Sequence, residues 1–192
     1  MGGRAARHAA HAEAASVTAV QSLATVSTER LRGRRPVAED RADYVRIWTD
    51  PRVPTDAHLR TAEDAVRTLD ETLAHWERWG FGPWTVLERG DEAVIGRVGP
   101  AHTRVTGRPE VEVAWFLDAD VWGRGYATEL AHEAVRAAFD DLQLDSVVSY
   151  TTPANAASQA VMRRLGFTFE AAIEHAGLPH VLFRLTAPAA RG

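Results

Sequence analysis

Val111-Glu112-Val113-Ala114-Trp115-Phe116-Leu117, followed after Asp118 to Val121 by Trp122-Gly123-Arg124-Gly125-Tyr126-Ala127-Thr128-Glu129, is the stretch on which the reading of this chain turns. Its first half is rich in β-branched and aromatic residues and reads as a strand. Successive side chains on a strand alternate between faces, so Glu112 shares a face with Ala114 and Phe116, while Val111, Val113, Trp115 and Leu117 point the other way. The second half opens a helix with Ala127, Leu130, Ala131, Ala134, Val135 and Ala138 on one side. Glycines at such a junction let the backbone approach a ligand closely. The free N–H groups and positive end of the new helix favour a phosphate. Taken alone, a glycine-rich connector with no ligand would look the same.

Two better-known phosphate loops fit poorly. A dinucleotide fingerprint would want a third glycine at Thr128 and a turn straight out of the strand; here Asp118 to Trp122 intervene before Gly123. A P-loop needs a lysine, and all 22 basic residues of this chain are arginine.

Outward from this centre, Ser27 to Arg32 reads as a first edge strand and Val37 to Trp48 as a short helix, broken at Asp50-Pro51. Thr61 is an N-cap with Asp64 three positions on. Ala62, Val66, Leu69, Leu73 and Trp76 recur at helical spacing, and Gly80 is the stop. Trp84 to Glu88 and Ala93 to Val98 read as a hairpin turned at Arg89-Gly90-Asp91. On the other side come a strand, Ser146 to Tyr150, and a helix from Pro153-Ala154-Asn155 to Leu165, stopped by Gly166. Phe167 to Ala172 and His180 to Leu185 are the last strands. Clustered strands mixed with helical crossovers imply an α/β protein with a mixed sheet. Residues 25–188 form one domain, preceded by an alanine-rich extension, 1–24, read as flexible or loosely helical, and followed by a tail, 189–192.

A chain of 192 residues with 45% hydrophobic and 25% charged residues can bury a single core. The formal charge of −4 and the lack of a basic block argue against nucleic acid as a partner. No apolar run is long enough for a membrane span, and a cytoplasmic location is the expectation. The absence of cysteine excludes Cys-ligated zinc and a cysteine acyl-enzyme. The eight histidines are too scattered to suggest a metal site.

Trp122 to Glu129 with the preceding strand resembles the acetyl-CoA-binding motif of the GNAT N-acetyltransferases. It matches the Trp-Gly-x-Gly-Tyr-Ala-Thr-Glu variant found in the RimJ/RimL-like branch. Further matches follow in the expected order: Thr28-Glu29-Arg30-Leu31-Arg32, Gly80-Phe81-Gly82-Pro83-Trp84, Asn155-Ala156-Ala157-Ser158 with Leu165-Gly166-Phe167, and His180-Val181-Leu182-Phe183. Arg164 replaces a frequent lysine. The resemblance spans about residues 27–186 and implies the GNAT acyltransferase fold, a mixed sheet of six to seven strands with about four helices.

The resemblance further implies that the CoA pyrophosphate rests on backbone amides of Trp122, Gly123, Arg124, Gly125, Tyr126, Ala127 and Thr128. Arg124 would lend charge or stand as a solvated surface arginine, and pantetheine would lie beside Phe116 and Leu117 where two strands splay apart. Acetyl would pass directly to a primary amine in a ternary complex. Glu112 is the first choice for general base, and a structural ion pair or an exposed edge is its ordinary alternative. Asn155 is an N-cap and a contact to CoA; Ser158 is a second CoA contact and a candidate donor to the leaving thiolate. The tyrosine many relatives use as acid is replaced by Met162. Tyr150 and His180 lie on strand ends near the cleft, where packing is the simpler role. A catalytically silent acyl-CoA sensor is the alternative, and a homodimer is compatible with the sequence. Residues 49–84 and 100–110 are expected to shape the amine pocket, whose ligand the sequence does not identify.

Overall fold

The computed structural model describes residues 23–53 and 61–188. The extension up to residue 22, the segment 54–60 of the expected amine pocket, and the tail 189–192 lie outside the described residues. The strands are β1 (Thr25–Ser27), β2 (Leu31–Arg34), β3 (Trp84–Glu88), β4 (Val94–Val105), β5 (Arg108–Leu117), β6 (Ser146–Thr151), β7 (Thr168–His175) and β8 (Leu178–Thr186). The α-helices are α1 (Arg41–Trp48), α2 (Ala62–Trp79), α3 (Tyr126–Arg136) and α4 (Ala156–Arg164). One sheet holds all eight strands in the order β1-β2-β3-β4-β5-β6-β8-β7. Every neighbouring pair is antiparallel except β5 with β6.

The sheet has eight strands, one more than the expected upper figure, because the single edge strand read over Ser27–Arg32 is a hairpin. Thr28 turns it: the hydroxyl accepts the Leu31 N–H at 3.1 Å. Leu23 and Ala24, read as part of the extension, belong to the packed domain. The Leu23 carbonyl accepts the Trp84 indole N–H (2.7 Å), and the Ala24 carbonyl accepts the Arg35 N–H (2.8 Å). Residues 100–110 are no loop either. They continue β4 and β5 into a long hairpin paired from Gly96 opposite Leu117 to Val105 opposite Arg108. Thr106 (φ 50°) and Gly107 (φ 77°) turn it with two left-handed residues, the geometry that matches strand twist in a tight hairpin.

Local signals elsewhere place the helices. The Thr61 hydroxyl accepts the Asp64 N–H and the Asp64 carboxylate accepts the Thr61 N–H, at 3.1 and 3.2 Å, and Gly80 ends α2 in the left-handed conformation. Small residues on α3 (Ala131, Ala134) and just beyond it (Ala137, Ala138) are fully buried. They let the helix lie close against Val98, Val113 and Leu117 of one sheet face, in a core shared with Met162 of α4. Tyr44, Ile47 and Trp48 of α1 join Ala65 and Leu69 of α2 in a second cluster, against which Phe116 packs. Phe116 and Glu112 therefore share the α1 side, and Val113 and Leu117 the α3 side.

β5 and β6 are in register at Glu112 opposite Val148, the one pair that joins these parallel strands among the described residues. Beyond it towards Phe116 and Leu117 the two strands part. On the other edge of β5 the contact is unusually close: Gly96 has φ 146°, and a Cβ there would meet the Phe116 carbonyl oxygen at 2.2 Å. Gly96→Ala is expected to cost roughly 3 kcal/mol from backbone strain and overpacking together. Urea unfolding of the variant checks this; an unchanged midpoint would refute the need for so close an approach.

Candidate active site

The parting of β5 and β6 opens a cleft of about 810 Å³. Trp115, Phe116 and Leu117 of β5 form one wall, Trp122, Gly123 and the stretch from Gly125 to Glu129 form the floor, and one face of α4 forms the other wall. Gly123 (φ 76°) and Gly125 (φ 81°) give the junction its two left-handed turns. The first helical hydrogen bond of α3 runs from the Glu129 N–H to the Gly125 carbonyl at 3.1 Å. The amides of Tyr126, Ala127 and Thr128 precede it and have no intrahelical acceptor. That is the chemistry an anion such as a pyrophosphate requires.

Side chains from distant segments hold this loop. Arg30 donates to the Arg124 carbonyl (2.8 Å) and to the Glu129 carboxylate (2.7 Å), and its guanidinium stacks over the Tyr126 ring. Glu129 also accepts from the Thr28 hydroxyl at 2.5 Å. Burial works against the Glu129 charge, yet Thr28 and Arg30 hold its carboxyl below the ordinary range. Tyr126 donates to Glu88 (2.6 Å). At the loop entry, the Asp118 carboxylate accepts the Asp120 N–H (2.9 Å) and pairs with Arg46 of α1.

Most of the residues expected from sequence are brought together here. Phe116, Leu117, Trp122, Gly123, Gly125, Tyr126, Ala127, Thr128, Asn155 and Ser158 all line the cleft. Arg124 does not. Its side chain turns to Glu88 at 3.4 Å, drawn by the nearest carboxylate, and the arginines lining the cleft are Arg30 and Arg164. The Trp122 indole donates to the Leu117 carbonyl (3.0 Å). Asn155 caps α4, its Oδ1 accepting the Ser158 N–H at 3.1 Å, and the Ser158 hydroxyl accepts the Trp115 indole N–H at 3.3 Å. Ala157, Val161 and Arg164 also line it, though the sequence reading gave none of them a place in the cleft. Their spacing along one face of α4 is the signal that could have found them. Arg30, quoted in the early family match without a role, and Val53 come from far along the chain, where spacing gives no signal.

Glu112 stands apart from the cleft lining, on the α1 face at the last rung before the strands part. Burial pushes its carboxyl up to about 7, against the pull of the Arg97 charge and the Tyr150 hydroxyl, both of which favour the ionised form. Tyr150 in turn is pushed up by burial and by the Glu112 charge. Its hydroxyl lies 3.2 Å from the Thr103 hydroxyl and 3.4 Å from His175 Nε2. His180, buried, has Nδ1 3.0 Å from the Leu178 carbonyl. Among the described residues, no group of three or more His, Asp or Glu side chains could hold a metal ion, and no helix is long and apolar enough to cross a membrane.

Residues 30–168 match the family of the acetyltransferase (GNAT) domain, and the chain belongs to that family. It is 36% identical over 95 residues to the FsC-acetyl coenzyme A-N(2)-transacetylase of Aspergillus fumigatus, a match covering 46% of this chain and 40% of that protein. The chain thus spans about two fifths of the length of that relative. Among solved structures, an acetyltransferase from Agrobacterium tumefaciens superposes with a TM-score of 0.71 at 28% identity, over 85% of this chain and 94% of that one. The ribosomal-protein-S5-alanine acetyltransferase of Vibrio fischeri shares the fold at 20% identity, with a TM-score of 0.65 over 88% and 99% of the two chains.

The loop geometry generates a prediction. Gly125 sits at φ 81°, and among the described residues a Cβ at this position would come within 4 Å of Arg30 Nη2 alone, at 3.6 Å. Gly125→Val is therefore expected to fold with a loss of about 1–3 kcal/mol from strain and to bind acetyl-CoA at least tenfold more weakly, because the amides would turn away. Isothermal titration on the folded variant measures this, and undiminished affinity would show that the loop does not carry the ligand.

Proposed function

We propose that this protein is an acetyl-CoA-dependent N-acetyltransferase that passes the acetyl group directly to a primary amine in a ternary complex. One observation carries the reading: a carboxylate held near neutral pKa stands at the point where two strands part onto a cleft floored by free helix-start amides. The amides of Tyr126, Ala127 and Thr128 would hold the pyrophosphate, with Arg30 and Arg164 supplying charge. The parted edge of β5 would take the pantetheine arm and bring the thioester to the gap.

The amine would then approach from the α1 face, where Glu112 lies. An ammonium cannot attack a carbonyl, so a group must remove its proton. Glu112 suits the task because its carboxyl, raised to about 7 by burial, is both ionised above neutrality and basic enough to accept. On the cleft side, the Trp115 indole donates to the Ser158 oxygen. Ser158 thereby keeps its own hydrogen free to donate to the departing thiolate. With no cysteine in the chain, direct attack on the thioester needs no cysteine acyl-enzyme. A silent sensor would have no use for a carboxylate held in ionisable form at a cost in desolvation.

Glu112→Gln tests the reading. Loss of a positioned base is expected to lower turnover about 10²–10⁴-fold with acetyl-CoA affinity unchanged; full turnover in the variant would refute the base. Stability supplies a second arm with the opposite sign. The Glu112 pKa is raised on folding from 4.5 to about 7, so folding favours its protonated form. The contribution is fully present below pH 4.5 and is lost as pH rises through 7. Glu112→Gln should thus be more stable than the parent at pH 8, by up to about 3 kcal/mol, and the gap should close towards pH 4.5. Thermal unfolding across this range reads it directly.

A further inference from the structure

The α1 face of the sheet carries polar groups that the cleft does not use, and register brings them into a row. Arg97 of β4 lies opposite Phe116 of β5, and Glu112 lies four residues from Phe116 on the same face. Glu112 is opposite Val148, two residues before Tyr150; Tyr150 is opposite Leu182, two after His180; and Ile173, opposite His180, is two before His175. This face of β5 is partly open. Glu112, Ala114 and Phe116 are each partly exposed, whereas Val111, Val113 and Leu117 on the other face are buried. Between Arg97 and Glu112 the positions are small, with Gly99 opposite Ala114 and Ala101 opposite Glu112.

Arg97 is the group on this face whose charge the protein does not answer. Four arginines among the described residues are partly buried. Arg34 pairs with Asp40 (2.5 Å), Arg35 with Glu77, and Arg184 with Glu110 (2.9 Å) and Glu170 (2.6 Å). Arg97, the fourth, has no carboxylate partner among the described residues. It gives a hydrogen bond from Nη1 to the Thr72 hydroxyl at 3.2 Å, and its guanidinium carbon stands 5.7 Å from the centre of the Trp48 ring. Trp48 in turn stacks on Phe116, with ring centres 3.8 Å apart. Thr72 and Trp48 are both buried, so the guanidinium is held in place by groups that carry no charge. A partly buried cation is costly unless something pairs with it. A guanidinium also has five N–H donors, arranged to grip a carboxylate with two of them.

We propose that Arg97 is the anion anchor of the acceptor site, so that the amine this enzyme acetylates carries a carboxylate. The inference rests on the reading of the protein as an N-acetyltransferase whose acceptor nitrogen lies at Glu112. Arg97 and Glu112 spring from backbone positions roughly 13 Å apart along the strands. Less the length of the two side chains, that span fits an acceptor of about amino-acid size, with its amine at one end and its acid at the other. Phe116 and Trp48 would flank the acidic end, and Ala114 and Ala101 leave the sheet surface between the ends free of bulk. A single negative charge is what the site asks for. The other partly buried arginines on this face of the sheet, Arg34 and Arg184, are already held by Asp40 and by Glu110 and Glu170, and the chain has no lysine. The carboxylate takes no part in the acetyl transfer. It fixes where the amine sits, and a neutral analogue would leave Arg97 unanswered.

Matched pairs of amines that differ only as acid and amide test this in the full chain. 4-Aminobutyrate against 4-aminobutanamide represents a free small acid. C-terminally amidated tripeptides with Glu or Gln at the second position represent an acidic protein N-terminus. Release of free CoA from acetyl-CoA gives kcat/KM for each. The parent should favour the acid member of at least one pair, and which pair it is identifies the source. Arg97→Gln should cut that acid-to-amide ratio about 10–100-fold, the range lost with a hydrogen bond to a charged group, and chiefly through KM. Both members of a pair meet the same Glu112, so the ratio is blind to any change in the base. Arg97→Lys keeps the charge without the two-pronged grip; it should hold part of the preference, and it carries the same comparison if the glutamine variant does not fold. An acid-to-amide ratio that these substitutions leave unchanged would overturn the proposal and mark Arg97 as structural. So would a parent that acetylates no acid member faster than its amide. If amides and acids are acetylated equally and Glu112→Gln is inactive, the acetyltransferase stands and only the anchor falls; if no amine of the set is acetylated, the underlying reading falls with it.

Discussion

The separation of β5 from β6 past Glu112 and Val148 is the constraint on which the rest of the molecule depends. Paired strands normally satisfy one another's backbone groups, and a strand that leaves its neighbour inside a sheet exposes a row of polar atoms that something must answer. Here the Trp122 indole answers the Leu117 carbonyl, and the cleft is the space in which a ligand's own amides could answer others. The closed end is laced by Arg184 of β8, which reaches across β6 to Glu110 of β5 (2.9 Å) and outward to Glu170 of β7 (2.6 Å). One end of the pair is thus tied and the other is propped open. A β5–β6 ladder continued to Leu117 would have closed the site.

The open end keeps its shape because the loop beneath it is held from three sides. Arg30 comes from the β1–β2 turn, Glu88 from the end of β3, and Arg46 from α1. Exposed ion pairs are individually weak. What these provide is position: each ties a glycine-containing segment, free to adopt many conformations, to a strand or helix fixed by the core. A rigid cradle loses less freedom when an anion settles into it, and that preorganisation is where such contacts gain their effect on binding.

Much of this was legible in the sequence wherever the signal was local. Thr61 with Asp64, Gly80, Asn155 and the paired glycines 123 and 125 each specify a backbone conformation within a few residues, and the structure has them in those roles. The misreadings share one cause. The β1–β2 hairpin looks like a single strand because Thr28, which turns it, is stabilised partly by Glu129 a hundred residues later. The long β4–β5 hairpin looks like two strands and a loop, since Pro100, Gly99 and Pro109 are poor strand formers that pairing along ten rungs overrides. Arg124 sits between the two glycines and so reads as a cleft residue, yet Glu88, distant in sequence and near in space, claims its side chain instead.

The two halves of the site lie on opposite faces of one sheet, and this explains why one half was so much easier to read. The cleft is built from a strand end, a helix start and a helix cap, elements whose sequence demands are narrow. The face that carries Glu112 is built from side chains on β4, β5, β6, β7 and β8, brought into a row only by register. No short motif can encode such a row, and it can vary without disturbing the cradle behind it. Glu112 joins the halves because it belongs to both: its backbone makes the last β5–β6 rung, and its side chain is half-buried on the α1 face. The burial that raises its carboxyl to about 7 comes from that same packing. Moving the carboxylate outward to a wetter position would return it towards an ordinary acid and take it away from the gap at once, so its basicity and its placement are one constraint.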